Sequence, residues 1–191
     1  PNGDWGFDIA ENFNLHWQTL GGNVIDTATF GSQKDFARVI KDTLNLNQSN
    51  ARLRDLKRFT RDKIEFTPRR RNDFDFIFLV ARPKEARLIK PLMAYHYAGK
   101  VPVYSTSRVY VGSPNPNKNK DLNGIKFTEI PWVLENDIEL KQVIQQHIPK
   151  SRTFQRMYAL GADTYRLYPR LSQMAALPNS RVYGETGTLR L

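Results

Sequence analysis

One set of residues in this sequence has the types that hold anions and sugars: Trp5, Ser32, Arg82, Ser105, Thr106, Ser107 and Arg108, with Asp4 and Gly6 beside the tryptophan. A guanidinium grips a phosphate or carboxylate with paired N–H donors, hydroxyls donate and accept, and an indole face offers a stacking surface. Bond-breaking chemistry has less to draw on. The chain has no cysteine, which removes disulfides, thiolate metal sites and thiol nucleophiles. His16, His96 and His147 are far apart and fall in different predicted helices, so they read as ordinary surface or core histidines before a metal site. Asp73-Phe74-Asp75 has a metal-like spacing, but it also marks where the chain leaves solvent for a buried strand. No Gly-x-Ser-x-Gly elbow, Ser-x-x-Lys pair, phosphate loop or Gly-x-Gly-x-x-Gly fingerprint occurs. Asn47-Gln48-Ser49 fits a glycosylation sequon, a short and weak pattern. These residues point to a binding module, not an enzyme, with no cofactor and no metal.

What must position the candidate residues is a βαβ unit over residues 74–108. Phe74-Asp75-Phe76-Ile77-Phe78-Leu79-Val80-Ala81 suits a strand buried on both faces. Pro83 stands at a first helical position, and Ala86, Leu88, Ile89, Leu92 and Met93 recur at helical spacing. Gly99 is the expected helix stop. A second strand starts at Val101 and runs into the polar Ser105–Arg108 cluster. Parallel sheets bind ligands beyond the carboxyl ends of their strands, which puts Arg82 and residues 105–108 on one edge. The loops containing residues 4–6 and 31–32 are expected to share it, making a cleft for a small anionic or sugar-like ligand; the alternative is that these residues cap helices and make turns.

The rest of the chain alternates in the same way. The patterning predicts helices over 7–20, 33–46, 136–148 and 154–177, the last broken by Pro169. It predicts strands over 23–30 and 125–130, a loop over 112–123, and short extended pieces at 181–183 and 187–191. Ser32 is an expected N-cap, and Asn136 or Asp137 another. Trp132, Tyr158, Tyr165 and Tyr168 read either as partner anchors or as half-buried core. The order implies an α/β fold with mainly parallel sheets flanked by helices. A helix at residue 7 with no strand before it suggests a fragment whose first strand, and any targeting segment, precedes Pro1.

Of the 191 residues, 29 are Lys or Arg and 19 Asp or Glu, a net charge of +10. Residues 52–71 supply +6 of it, through Arg52, Arg54, Lys57, Arg58, Arg61, Lys63, Arg69, Arg70 and Arg71 against Asp55, Asp62 and Glu65. The stretch is either a surface for an acidic partner or a solvated helix and loop. Leu53, Leu56 and Phe59 within it predict an amphipathic helix docked on the body. No aromatic platforms interleave with the cations as single-stranded nucleic acid requires, so nucleic acid is not an expected partner. Mean hydropathy is −0.57, and no apolar run approaches the roughly 20 residues of a membrane-spanning helix.

Pro68-Arg69-Arg70-Arg71-Asn72-Asp73-Phe74-Asp75, Leu88-Ile89-Lys90-Pro91, Tyr104-Ser105-Thr106-Ser107-Arg108, Gly124-Ile125-Lys126-Phe127-Thr128-Glu129-Ile130-Pro131 and Leu160-Gly161-Ala162-Asp163-Thr164 carry a further signal. Together they resemble the C-terminal domain of the LpoA/YraM family, outer-membrane lipoproteins that activate a class A penicillin-binding protein. The resemblance implies a two-lobed architecture similar to type I periplasmic binding proteins, present here as a fragment. Residues 1–128 would form most of one lobe, with a basic insertion at 48–72, and residues 129–191 part of the second, with Pro131-Trp132 near a crossover. It implies a non-catalytic periplasmic regulator of peptidoglycan synthesis, held at the outer membrane by a lipid anchor outside this chain. Arg69, Arg70 and Arg71 are the candidate partner contacts, and the cleft a candidate site for a cell-wall-derived ligand.

Overall fold

The computed structural model describes residues 1–60, 64–177 and 179–191. They form two units, one of residues 1–109 and 115–127, the other of residues 110–114 and 128–191.

The first unit is built on three parallel strands in the order β1 (Ile77–Leu79), β2 (Val103–Ser105), β3 (Ile125–Phe127). Ile77 pairs with Val103 and Val103 with Ile125. The helix α4 (Pro83–Met93) connects β1 to β2, so the βαβ unit is present. Its strands are shorter than expected for local reasons. Pro102 has no N–H to give; it enters the ladder only as an acceptor, from Ile77 N at 3.0 Å. At the other end the Ser105 hydroxyl donates to the Leu79 carbonyl at 2.7 Å, where the pairing stops.

The helix before this sheet, α1 (Asp4–Thr19), starts earlier than the apolar pattern suggested. Gly6 N and Phe7 N bond Gly3 O, and Asp4 places a carboxylate on the first turn, where the helix dipole favours it. Residues 4–6 are therefore helix, not a strand-end loop. Phe13 of α1 stacks on Phe78 of β1 at 4.0 Å between centroids, and the Trp17 ring meets Phe76 edge-on at 5.3 Å. The helix stops at Gly21, with φ 81°, and the bare backbone of Gly22 lies against the Trp17 ring, where a Cβ would come within 2.1 Å of it.

Residues 23–30 form no strand. Asn2 N bonds Phe30 O, but a cleft of about 620 Å³ separates this segment from residues 73–80, so no ladder forms across it. Ser32 and Asp35 then build a capping box ahead of α2 (Phe36–Thr43). Asn45, at φ 55°, turns the chain into α3 (Leu46–Phe59). This helix docks through Leu46 and Ser49; Leu56 is exposed and Phe59 is 86% exposed, so the expected apolar seam through Leu53, Leu56 and Phe59 is only partly used. The basic residues Arg61 and Lys63, with Asp62, lie outside the described residues.

The end of α4 also departs from the expected stop. A π-turn follows at Ala94–Ala98, and Tyr97, not Gly99, takes the left-handed conformation, at φ 66°; Gly99 has an ordinary helical φ of −62°. Within 112–123, read as loop, Asn115 accepts from Lys118 N and Pro116 opens the short helix α5 (Pro116–Asn119), since an Asn cap and a proline at N1 suffice to start a turn.

The second unit packs α6 (Pro131–Leu134), α7 (Glu139–His147), α8 (Gln155–Leu167) and α9 (Leu171–Ala176) with an antiparallel hairpin, β4 (Val182–Gly184) and β5 (Gly187–Leu189). Its core is Trp132, Val133 and Ala159, flanked by Tyr110, Ile138 and Ile144. Ile138 is the N-cap of α7, in place of Asn136 or Asp137. Pro169 divides α8 from α9 through one 3-10 turn, because it cannot supply a helical N–H. Trp132 is core, whereas Tyr165 and Tyr168 are exposed. Glu129 is buried and paired with Arg156, whose guanidinium also donates to Tyr110 O at 3.2 Å.

Candidate functional site

The carboxyl edge of the sheet gathers part of the expected set. Arg82 follows β1 and precedes α4; its backbone N donates to Glu85 at 2.7 Å, which ties down the first turn. Its exposed guanidinium lies over the Trp5 ring at 5.9 Å, a cation–π contact that aims both groups at the same edge. Ser105 is buried and bonded to Leu79, so it joins the ends of β1 and β2 and is not available to a ligand. The Thr106 hydroxyl oxygen is buried with no hydrogen-bond partner among the described residues. Ser107 and Arg108 lie in the 3-10 turn Ser107–Val109, with Arg108 exposed.

Three candidates serve the fold instead. Gly6 is buried, and a Cβ there would meet Pro1 O at 2.2 Å, so the glycine answers a packing need. Ser32 is committed to the capping box with Asp35. Asp4 is exposed in the first turn of α1. At this edge the described contact is that of Arg82 with Trp5; Arg108 is exposed and the Thr106 hydroxyl is buried beneath the surface. No cluster of carboxylates and histidines able to hold a metal occurs among the described residues.

Arg69, Arg70 and Arg71 sit elsewhere. They precede β1, whereas the cleft residues follow strands, so they belong to the amino edge. Two of the three are built into the fold. Arg71 forms a paired bridge to Asp73 at 2.7 and 2.8 Å and lies 3.7 Å from Asp26; Asp73 raises its pKa, and Arg71 in turn lowers that of Asp73. Arg70 donates from Nε to Tyr97 O at 3.1 Å and from Nη1 to Arg71 O at 2.8 Å, and its guanidinium lies over Phe74 at 5.5 Å. Only Arg69 of the triplet has an exposed side chain; its backbone N donates to Ser49 on α3.

Two further features have little signature in the sequence. Asp163 is buried in α8 and accepts from Glu185 N and Thr186 N, both at 2.7 Å, which fixes the turn of the β4–β5 hairpin. The Tyr95-His96-Tyr97 turn puts two tyrosines outward and a histidine inward. Burial lowers the His96 pKa from its ordinary 6.5, and nearby Lys41 adds to the effect. The one sequence signal for Asp163 is its i, i+3 offset from Leu160, which puts it on the same helical face; nothing in Tyr-His-Tyr signals a left-handed residue.

Comparison with known proteins adds identity to geometry. The family model "LppC putative lipoprotein" matches residues 1–191. A protein of Photobacterium profundum named penicillin-binding protein activator LpoA is 34% identical over 194 residues, covering 99% of this chain and 31% of that protein. One of the same name from Vibrio antiquarius is 31% identical, covering 100% and 32%. The chain thus spans about a third of the length of the curated relatives it matches. Among solved structures, the LpoA (YraM) C-domain from Haemophilus influenzae aligns with a TM-score of 0.68 at 20% identity, over all of this chain and 52% of that one. Full-length LpoA from the same organism gives 0.68 at 21% identity, over 100% and 30%. These two likenesses speak to the fold: helices on an open, parallel sheet.

Proposed function

Because the chain belongs to the LppC family along its whole length, we propose that it is a non-catalytic regulatory domain that docks a penicillin-binding protein and raises its peptidoglycan-synthesising activity. The observation that carries this reading is that relatives about 30% identical over essentially all of this chain are named penicillin-binding protein activators. The partner is a class A synthase, and the domain works on the periplasmic side of the outer membrane, held by a lipid anchor outside this chain. Residues 1–128 act as most of one lobe and residues 129–191 as part of the second.

Activation requires no chemistry from the activator. It must bind the synthase's active conformation more tightly than its resting one, and the ratio of the two affinities sets the largest stimulation it can produce. A tenfold stimulation needs a difference of about 1.4 kcal/mol, which one or two good contacts supply. The test is glycan-strand synthesis by the purified synthase with and without the full-length protein. Saturable stimulation that disappears when these 191 residues are deleted supports the proposal. Unchanged stimulation after the deletion overturns it.

The exposed Arg82 guanidinium over the Trp5 ring favours a second reading, in which the carboxyl edge holds a small anionic cell-wall fragment. Calorimetry with soluble muropeptides checks it: heat that is lost in Arg82→Ala supports a ligand, and no heat with any fragment removes it.

A further inference from the structure

A regulator must meet its partner somewhere, and the geometry points to the amino edge of the sheet. We infer that the exposed rings of Tyr95 and Tyr97, with the cations of Arg69 and Lys41 around them, form the docking face, and that this face takes an acidic patch on the partner protein. The inference rests on the reading of the chain as a penicillin-binding-protein regulator and names the surface that reading lacks.

The first observation is a residue in the wrong place for its type. Tyr97 ends α4 and its π-turn at φ 66°, a position that glycine usually fills because a Cβ there crowds the backbone. Only half of the ring is buried to offset that strain. The Tyr97 side chain is half exposed, and Tyr95 is 77% exposed. What a tyrosine adds at this position over glycine includes a ring half open to solvent. Residues held in sparsely populated conformations gather at ligand clamps and contact sites.

The second observation is that the strained turn is held rigid from beneath. Arg70 locks the Tyr97 carbonyl at 3.1 Å while stacking over Phe74, and buried His96 anchors the turn between the two tyrosines. Arg70 is a positioning residue: its donors are committed to the Tyr97 and Arg71 carbonyls, which holds the turn that carries the Tyr97 ring. A preorganised contact loses little rotamer entropy when a partner arrives.

The third is charge and composition. Arg69 is exposed next to Arg70, and Lys41 is exposed and close enough to oppose a charge on His96. Arg52 lies one turn along α3 from Ser49, which holds the Arg69 backbone. Tyrosine and arginine dominate the energetics of protein interfaces, and a positive rim selects and steers an acidic partner.

The experiment measures binding of full-length protein to the purified synthase by biolayer interferometry, at low and at moderate salt. Absence of wild-type binding overturns the regulator reading and this inference together. Given wild-type binding, Tyr97→Gly is the decisive variant because it relieves the backbone and should keep or raise the melting temperature. The expected result is Kd weakened about tenfold or more by Tyr97→Gly and by Tyr95→Ala. Arg69→Glu is expected to weaken binding several-fold and to flatten its salt dependence, while Lys84→Glu, on α4 at the opposite edge, stays near wild type. Folded Tyr97→Gly and Tyr95→Ala variants that bind like wild type overturn the surface and leave the regulator reading standing. Variants that keep synthase affinity but lose binding to peptidoglycan sacculi or anionic vesicles assign the face to a polymer or a lipid, and overturn it as a protein-docking site.

Discussion

At the residue scale the informative positions are those where type and environment disagree. A left-handed backbone costs a non-glycine residue roughly 1–2 kcal/mol, and glycine gives back about 0.5–1 kcal/mol through its freer unfolded chain. Tyr97→Gly is thus expected to leave stability unchanged or raise it by up to about 1 kcal/mol, read from urea denaturation; a clear loss would show that the ring packs after all. His96 makes a different demand. Its pKa is held below 6.5, so the folded state resists a proton that the unfolded chain accepts. Stability is unaffected well above pH 6.5 and falls as the pH drops below it, until the folded-state pKa is reached. Lys41, facing His96, opposes its charge. His96→Gln should flatten that acid limb in thermal melts taken between pH 7 and pH 5. Little of this was legible in advance. Gly99 was the expected stop on residue type, but the chain had already turned two residues earlier, at a tyrosine whose conformation no pattern announces.

At the element scale, what could be read was what is local. The β1–α4–β2 unit rests on a run of branched and aromatic residues, a proline at N1 and helical spacing, and each of these acts within a few residues. Residues 23–30 carry a strand-like alternation, but a strand exists only when another lies alongside it, and a cleft separates these residues from β1. The exposure of Phe59 shows the same limit: periodicity identifies an apolar face without saying what covers it. The β4–β5 hairpin was read as two extended pieces; what makes it a hairpin is Asp163, some twenty residues upstream. Its carboxylate satisfies Glu185 N and Thr186 N, and the bare backbone of Gly184 lets it approach, since a Cβ there would stand 2.6 Å from the Asp163 oxygens. Asp163→Ala orphans two amides, one of them buried, and should cost about 2–4 kcal/mol. Hydrogen exchange should then show Glu185 and Thr186 losing protection before the α6–α8 core. Equal exchange in variant and wild type would mean that the turn holds itself.

At the scale of the whole molecule the excess of positive charge is the property with the longest reach, and it must be apportioned before it explains anything. The net +10 already subtracts the acids; among the paired cations are Arg71 with Asp73 and Asp26, Arg156 with Glu129, and Arg166 with Glu185. Those pairs contribute to the fold and not to the field outside it. Other cations, among them Arg52, Arg54, Lys57 and Arg58 of α3, are exposed and act through solvent. Their influence reaches about 10 Å at 0.1 M salt and about 3 Å at 1 M. Binding to an acidic protein partner should therefore slow markedly in association between these limits while dissociation changes less, because the field steers encounter whereas the tyrosine contacts decide residence. Nonspecific attraction to DNA should behave otherwise, vanishing by modest salt without regard to sequence, since counterion release is all that drives it. Kinetic traces for both partners over one salt series decide the matter. If association with the synthase is as fast at 1 M salt as at 0.1 M, the excess charge serves solubility alone, and the case for an acidic patch on the partner falls with it.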